Sequence, residues 1–187
     1  MENTSAAKSM RHAQYYNMTG IFDNLYEASK FGSIFPDLMT TILSQNNILL
    51  SYRNIKNNVG SLTPGTDSKN IQDLEKLDKD KFVKIVRSKA RTYRPRPVRR
   101  VMIPKPNGDT RPLGIPSIWD RIIQQCILQA LDPIMEAKFY KHSYGFRPNR
   151  STHHALAQVV RLAQLSKPSY IVDIDIMGSL YYFFFIR

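Results

Sequence analysis

Three kinds of side chain in this sequence could do chemistry: two neighbouring acids, a dense set of cations and one thiol. Asp173 and Asp175 alternate with Val172, Ile174 and Ile176 in Tyr170–Ile176, a pattern that puts both carboxylates on one face of a strand. Hard carboxylate oxygens suit a divalent cation such as Mg²⁺, although plain solvent exposure is the simpler account of acids on a half-buried strand. Lys105 and Arg111 bracket a turn, where Lys105, held between two prolines, reads as a pre-positioned charge rather than a solvated one. Arg94, Arg96, Arg99 and Arg100 lie just ahead of it. Arg147 and Arg150 precede a helix expected from Ser151, which sets guanidinium forks beside backbone N–H groups that face an anion. Pairing with Asp or Glu is the alternative for each cation, but acids are scarce nearby. Tyr144 and Phe146 could stack on bases or equally pack in a core. His153 and His154 are adjacent, whereas a metal-binding pair needs same-face spacing, so contacts on a helix surface are expected of them. Cys126 is the only cysteine; it excludes an intrachain disulfide and falls in an apolar helical run, where a core position is expected.

The cations are unevenly spread. Of 187 residues with a net charge of +12, residues 81–111 hold eleven Lys/Arg against one acid, while residues 1–80 are close to neutral. Phe82, Val83, Ile85, Val86, Val98, Val101 and Ile103 interrupt this basic block, so it should fold and show its charge on one side. Such a patch is the electrostatic signature of a nucleic-acid partner. With 42% hydrophobic residues the chain can bury a core. The N-terminus lacks the apolar run of a signal peptide, and the longest apolar stretch, Leu180–Ile186, is too short to span a bilayer. A cytoplasmic protein without a membrane partner is expected.

Periodicity gives the elements that must position these groups. Residues 1–20 show no pattern and read as a flexible leader. Leu38, Met39, Ile42 and Leu43 recur at helical spacing, and Ser44 is placed to cap a second helix carrying Ile48, Leu49, Tyr52 and Ile55. Gly60–Asp67 reads as a turn-rich loop, and Asp80 as the cap of a third helix. Val98–Ile103 and Arg111–Ile115 form a β-hairpin whose prolines require a loop wider than two residues. Ile118–Leu131 is an amphipathic helix expected to end near Pro133. Residues 143–150 form a loop, Ser151–Leu165 a helix with Ala155, Leu156, Val159 and Leu162 on one face, and Tyr170–Ile176 a strand.

In order along the chain stand Thr63-Pro64-Gly65-Thr66-Asp67, Val98–Lys105, Arg111–Pro116, Asp120–Gln125, Ser143–Ser151 and Val172–Ile176. With these six segments the sequence resembles group II intron reverse transcriptase/maturases over roughly residues 45–178. A retron-like or other bacterial reverse transcriptase would share the last segment; the first and fifth favour the group II class. The resemblance implies an α+β fold, an incomplete right-hand polymerase with helical fingers, a β-hairpin and the first palm strand. It divides the chain into a leader (1–20), a helical N-terminal extension (21–68), a fingers region (69–168), the first palm strand (169–178) and an aberrant aromatic tail (179–187). It further implies Asp175 as a catalytic metal ligand assisted by the Ile176 carbonyl, Mg²⁺ as cofactor, Lys105 and Arg111 as triphosphate contacts, and Arg94, Arg96, Arg99, Arg100, Arg147 and Arg150 as RNA contacts. The implied partners are group II intron RNA, a DNA primer and deoxynucleoside triphosphates.

The pattern breaks after Ile176. The family has Lys-Gly-Phe-Phe-Asp there, while this chain has Met177-Gly178-Ser179-Leu180-Tyr181, with Leu180 where a nucleotide-selecting aromatic is expected. The aspartate-bearing turn, thumb and maturase domain do not follow. A frameshifted or interrupted gene is the expected cause, and this chain alone is expected not to polymerise, since one carboxylate does not organise two metal ions. Two functions stay open: a piece of an RNA-directed DNA polymerase, and a non-catalytic RNA-binding module.

Overall fold

Ile118, Ile122, Cys126 and Ala130 recur every four residues and have no exposed surface, so one stripe of a single long helix forms the middle of the core. The computed structural model describes residues 11–166 together with Tyr170, Val172 and Ile174. Its contacts separate Met1–Tyr140 from Lys141–Arg187, and each unit is described by itself. The first unit contains helices α1 (Thr19–Lys30), α2 (Leu38–Ile42), α3 (Gln45–Lys56), α4 (Ile71–Glu75) and α5 (Lys79–Arg91), strands β1 (Arg99–Pro104) and β2 (Thr110–Ile115), and helix α6 (Ile118–Glu136). The second contains α7 (Thr152–Ser166). The described residues are thus mostly helical, with one two-stranded antiparallel hairpin.

Helices α1, α2, α3 and α5 all pack on α6. Ile48 and Ile55 of α3 and Phe82, Val83 and Val86 of α5 meet its apolar stripe, joined by Ile71 and Leu74 of α4. An aromatic seam crosses the same interface: Phe82 lies edge-on to Tyr52 at 5.5 Å and stacked on Trp119 at 6.0 Å between centroids. Each fully buried Ile contributes about 1.5–3 kcal/mol through the apolar area it removes from water.

A polar network runs through this core. The Asn47 side chain, fully buried on α3, donates through Nδ2 to the carbonyls of Ile42 at 2.9 Å and Cys126 at 3.0 Å. Gln129 returns the bond from α6, its Nε2 donating to Asn47 Oδ1 at 2.7 Å and to the Asn47 carbonyl at 3.1 Å. Asn54 Nδ2 donates to Gln129 Oε1 at 2.9 Å. One residue therefore locks the end of α2, the start of α3 and the middle of α6, because buried amide groups without partners are costly.

Several elements differ from the sequence expectation for identifiable reasons. Residues 11–15 are helical and Met18 is fully buried, so ordered structure begins before residue 21. No local pattern signals this; a tie to a distant residue, His12 Nδ1 with Asn54 Oδ1 at 3.4 Å, holds the segment. Ser44 caps α3 as expected, accepting from Asn47 N at 3.3 Å. Helix α5, however, is capped by Asp78 rather than Asp80; the Asp78 carboxylate accepts from Asp80 N at 3.1 Å. That register sets Leu77 just outside the cap and Phe82 at the fourth helical position, the two sites of a hydrophobic staple, and both join the core. The loop after α3 includes a 3₁₀ turn, Val59–Leu62, and α4 is a short helix held by a reciprocal Asn70–Asp73 capping box. Helix α6 does not stop at Pro133 but reaches Glu136. A proline removes its own N–H bond and crowds the carbonyl one turn back, but Ser29 Oγ of α1 donates to the Ile134 carbonyl at 2.8 Å, fixing the last turn from outside. The hydrophobic face expected on α7 exists as a stripe, but Leu156, Val159 and Leu162 are exposed. The expected first palm strand lies outside the described residues except for Tyr170, Val172 and Ile174, which are exposed.

Replacing Asn47 by Ala leaves one Gln129 N–H without its buried acceptor and removes the side-chain donor to the Ile42 and Cys126 carbonyls, and is expected to cost about 3 kcal/mol in denaturant unfolding. A loss below about 1 kcal/mol would show that the network is incidental. A second test uses pH. Burial pushes the Cys126 thiol from 9.0 up to about 11, a shift only partly opposed by its hydrogen bond to Ser51. The unfolded chain releases this proton from pH 9 upward while the folded chain keeps it to about 11, so stability present below pH 9 is lost across that window, by about 2–3 kcal/mol. Unfolding free energies measured from pH 8 to pH 11 should fall, and Cys126→Ala should flatten the fall.

Candidate nucleic-acid interface

The hairpin turn explains how the basic arm is shaped. Lys105 N donates to the Asp109 carbonyl at 2.6 Å, and Gly108 N to the Lys105 carbonyl at 3.1 Å, with Gly108 at φ +89°. This is a turn followed by a left-handed residue, the three-residue loop in which glycine carries the positive φ. Asn107 bonds the Asp109 carboxylate at 2.8 Å, so the acid at the tip is engaged by the loop itself and not by Lys105.

Strand register then sorts the cations. Arg99 pairs with Ile115, Arg100 with Gly114, and Ile103 with Arg111. Directly opposed residues share a face, and alternation continues it along each strand. Arg99 and Arg111 therefore stand on one face with Val101, Ile103, Leu113 and Ile115, and the pleat carries Lys105 to the same side. Arg100 stands on the other. All of these cations are exposed, as are Arg94 and Arg96 in the linker ahead of β1.

That linker is pinned at two points. The Tyr93 hydroxyl lies beside Asp120, and burial, then the Asp120 charge, raises the phenol above its ordinary pKa. Asp120 is itself buried and accepts from Ser117 Oγ at 2.7 Å. At the other end Thr66 Oγ1 donates to the Pro97 carbonyl at 2.9 Å. Arg94 and Arg96 lie between the pins. The Thr63–Asp67 loop that supplies Thr66 is latched to α6 by Arg121, whose Nη1 and Nη2 donate to the carbonyls of Gly60 at 2.9 Å and Thr63 at 2.6 Å. Gly65 fits against the backbone of Pro116 and Ser117 so closely that a Cβ there would stand 2.7 Å from the Pro116 carbonyl oxygen. Gly114 has a similar duty under Val98, at 2.9 Å. The chain from loop to linker to hairpin is thus a supported arm on the N-terminal end of α6.

In the second unit, Arg147 is turned inward; it is 9% exposed and donates to the Ser143 carbonyl at 2.9 Å. Arg150 donates to the Lys141 carbonyl at 2.6 Å and lies over the Tyr144 ring at 5.4 Å. Phe146, fully exposed at φ +56°, is not packed in a core among the described residues. Ser151 Oγ accepts from His154 N at 3.4 Å, capping α7. Asp175 and Ile176, the expected metal ligands, lie outside the described residues. Among the described residues no three His, Cys, Asp or Glu side chains gather as a metal site, and no helix is long and apolar enough to cross a membrane.

Sequence reading had not singled out Tyr93, Thr66 and Arg121 as positioning residues. Only the placement of Thr66 and Arg121 in distinctive segments hinted at it, because single polar side chains have no periodicity.

Comparison with known proteins places this geometry in context. The model of the family described as reverse transcriptase (RNA-dependent DNA polymerase) matches residues 103–181. Protein YkfC of Escherichia coli strain K12 is 48% identical over 103 residues, covering 54% of this chain and 26% of that protein. The group II intron-encoded protein LtrA of Lactococcus lactis subsp. cremoris is 36% identical over 148 residues, covering 78% of this chain and 24% of its own length. A putative COX1/OXI3 intron 1 protein of Saccharomyces cerevisiae is 29% identical over 161 residues, 83% of this chain and 18% of that one. The chain spans about a quarter or less of the curated relatives it matches.

Gly65→Ala tests whether the arm depends on its support. The added methyl meets backbone, not a movable side-chain tip, so a destabilisation of about 1–3 kcal/mol is expected, with faster amide exchange over residues 63–66 and 93–98. Gly60→Ala, which meets open space, serves as the silent control. Unchanged exchange in Gly65→Ala would mean that the loop does not brace the linker.

Proposed function

We propose that this chain, which carries part of a reverse transcriptase domain related to group II intron-encoded proteins, holds intron RNA on its hairpin and the linker ahead of it. In the complete domain the same arm would bring a deoxynucleoside triphosphate to RNA-templated DNA synthesis. One observation carries the reading: among the described residues Arg94, Arg96, Arg99, Arg100, Lys105 and Arg111 have no ion-pair or side-chain hydrogen-bond partner, although they crowd one arm. Cations that stabilised the fold would be paired; unpaired ones repel each other and need an anion. Phosphates supply it, with release of counterions on binding.

The cations divide by position. Arg94, Arg96, Arg99 and Arg100 suit the sugar–phosphate backbone, which positions a nucleic acid without reading its bases. Lys105 and Arg111, on one face near the tip, suit a triphosphate whose leaving pyrophosphate gains charge as the new bond forms. Arg150, held beside Tyr144, offers a further contact. Arg147 would act from its inward position by shaping the 143–150 loop or through a minor part of its guanidinium. Asp175, with the Ile176 carbonyl, offers the hard oxygen donors that Mg²⁺ takes, and that ion would activate the primer hydroxyl and shield the leaving group. Asp175 supplies one carboxylate to a chemistry that needs more than one.

A second reading, RNA binding without synthesis, is favoured by the fact that all six unpaired cations belong to the unit that has its own core. Primer extension on an RNA template separates the two: tight RNA binding with no DNA product supports the module.

The common claim is tested by fluorescence anisotropy with single-stranded intron RNA over a salt series. The logarithm of affinity should fall linearly with the logarithm of salt concentration, and Arg99→Gln/Arg100→Gln should lower that slope by about 1.4, at about 0.7 for each contact. Lys105→Ala/Arg111→Ala should weaken triphosphate binding about tenfold and RNA binding less. Salt-independent RNA affinity would sink the reading.

A further inference from the structure

A second basic surface stands apart from the hairpin. Two adjoining hollows, of about 570 Å³ and about 420 Å³, run along α5 and share Arg87 and Arg91 as walls. The larger is closed on its far side by α2 and the turn into α3, through Met39, Thr40, Leu43 and Ser44. The smaller adds Lys84, Ser88 and Thr92. Lys84, Arg87, Ser88 and Arg91 follow the three- and four-residue spacing of one helix face, opposite the Phe82, Val83 and Val86 that enter the core. Among the described residues no acidic side chain lines either hollow.

The arrangement is built rather than scattered. Arg87 Nε donates to the Leu43 carbonyl at 2.9 Å, which holds the guanidinium at the groove and leaves its two terminal nitrogens without a partner among the described residues. A fixed fork of that kind matches two oxygens of a phosphate, and less of its entropy is lost on binding than for a free side chain. Lys84 and Arg91 stand two helical turns apart, about 10 Å along the axis, so the row can take more than one phosphate. Exposed Met39 and half-buried Leu43 give the opposite wall an apolar surface suited to a sugar or base face. The C-terminal end of α5 is the negative end of its dipole, and Lys89 and Arg91 in the last turn offset that field. The groove is also continuous in sequence with the arm: Arg91 ends α5, and the pinned linker with Arg94 and Arg96 follows.

We infer that the α2–α5 groove is a second phosphate-binding site, which takes the sugar–phosphate backbone of RNA through Lys84, Arg87 and Arg91. The inference rests on the reading that the chain binds RNA, but it uses a different surface. An acidic peptide shares the negative charge, yet its carboxylates would not need a row that runs on into the exposed arginines of the linker.

The test is Lys84→Gln/Arg91→Gln in the full chain; Arg87 is left intact because it ties α5 to the Leu43 carbonyl. The probe is a labelled single-stranded RNA of mixed sequence, titrated over a salt series, with poly-glutamate as the second probe and thermal melting as the check on folding. The double variant should melt as the parent does, and lower the salt slope by about 1.4 with a similar loss for unrelated RNA sequences. Combined with Arg99→Gln/Arg100→Gln, the two losses should multiply, as expected for one strand that reaches both surfaces. If the groove variant leaves slope and affinity at parental values while the hairpin variant lowers them, the second site is refuted and the RNA reading stands. If the parent itself shows no salt-sensitive RNA binding, both fall. Loss of poly-glutamate binding with RNA binding unchanged also refutes the inference, and assigns the groove to an acidic protein partner.

Discussion

A carboxamide shut away from water must find partners for two N–H donors and an oxygen, and Asn47 on α3 finds them on two other helices, α2 and α6. Its bonds to the carbonyls of Ile42 and Cys126, answered by Gln129, set the depth and rotation of α6 against α2 and α3. Apolar packing alone tolerates sliding along a stripe; a directional amide pair does not. Everything that positions the basic arm hangs on the N-terminal end of that helix: the Ser117–Asp120 cap, the Tyr93 pin, the Arg121 latch and the seat of Gly65. A neutral, buried network thus governs where the charge is displayed.

The division of labour is also one of charge. The core unit keeps its ionisable groups local: Lys56 pairs with Glu75, and Lys30 and Lys76 bond acids one helical turn away. Such exposed pairs contribute little to stability. The arm keeps cations that nothing in the described residues answers. A protein that spent these residues on folding would be more stable and bind phosphate less well.

How much of this was legible in the sequence depended on how local the cause is. The Ser44 cap, the α6 stripe, the buried Cys126 and the hairpin with its widened turn follow from residues within a few positions of one another. Asp78 in place of Asp80 is a near miss of the same kind, decided by which register lets Leu77 and Phe82 both reach the core. The helical residues 11–15 and the continuation of α6 past Pro133 are different: partners far away in sequence, Asn54 for His12 and Ser29 for Ile134, contribute to them. For the site, the number and clustering of cations was plain, and alternation along β1 already separates Arg99 from Arg100. The inward turn of Arg147 was not legible, since an arginine in a loop of breakers looks the same whether it faces an anion or a carbonyl. Asp175 and Ile176 were nominated by family resemblance rather than by any property that residue spacing alone provides.

The prolines of the hairpin have one more consequence. Because Lys105 and Asp109 form a bonded pair, Pro104 and Pro112 fall at the alternate, unbonded positions, where a backbone nitrogen points away from the partner strand. Neither proline costs a ladder bond there, and each deletes a donor from an outer margin of the ribbon. An exposed two-stranded ribbon invites other chains to add a third strand and grow. With both rims interrupted by an imino acid, this one can protrude into solvent without templating fibres of its own kind.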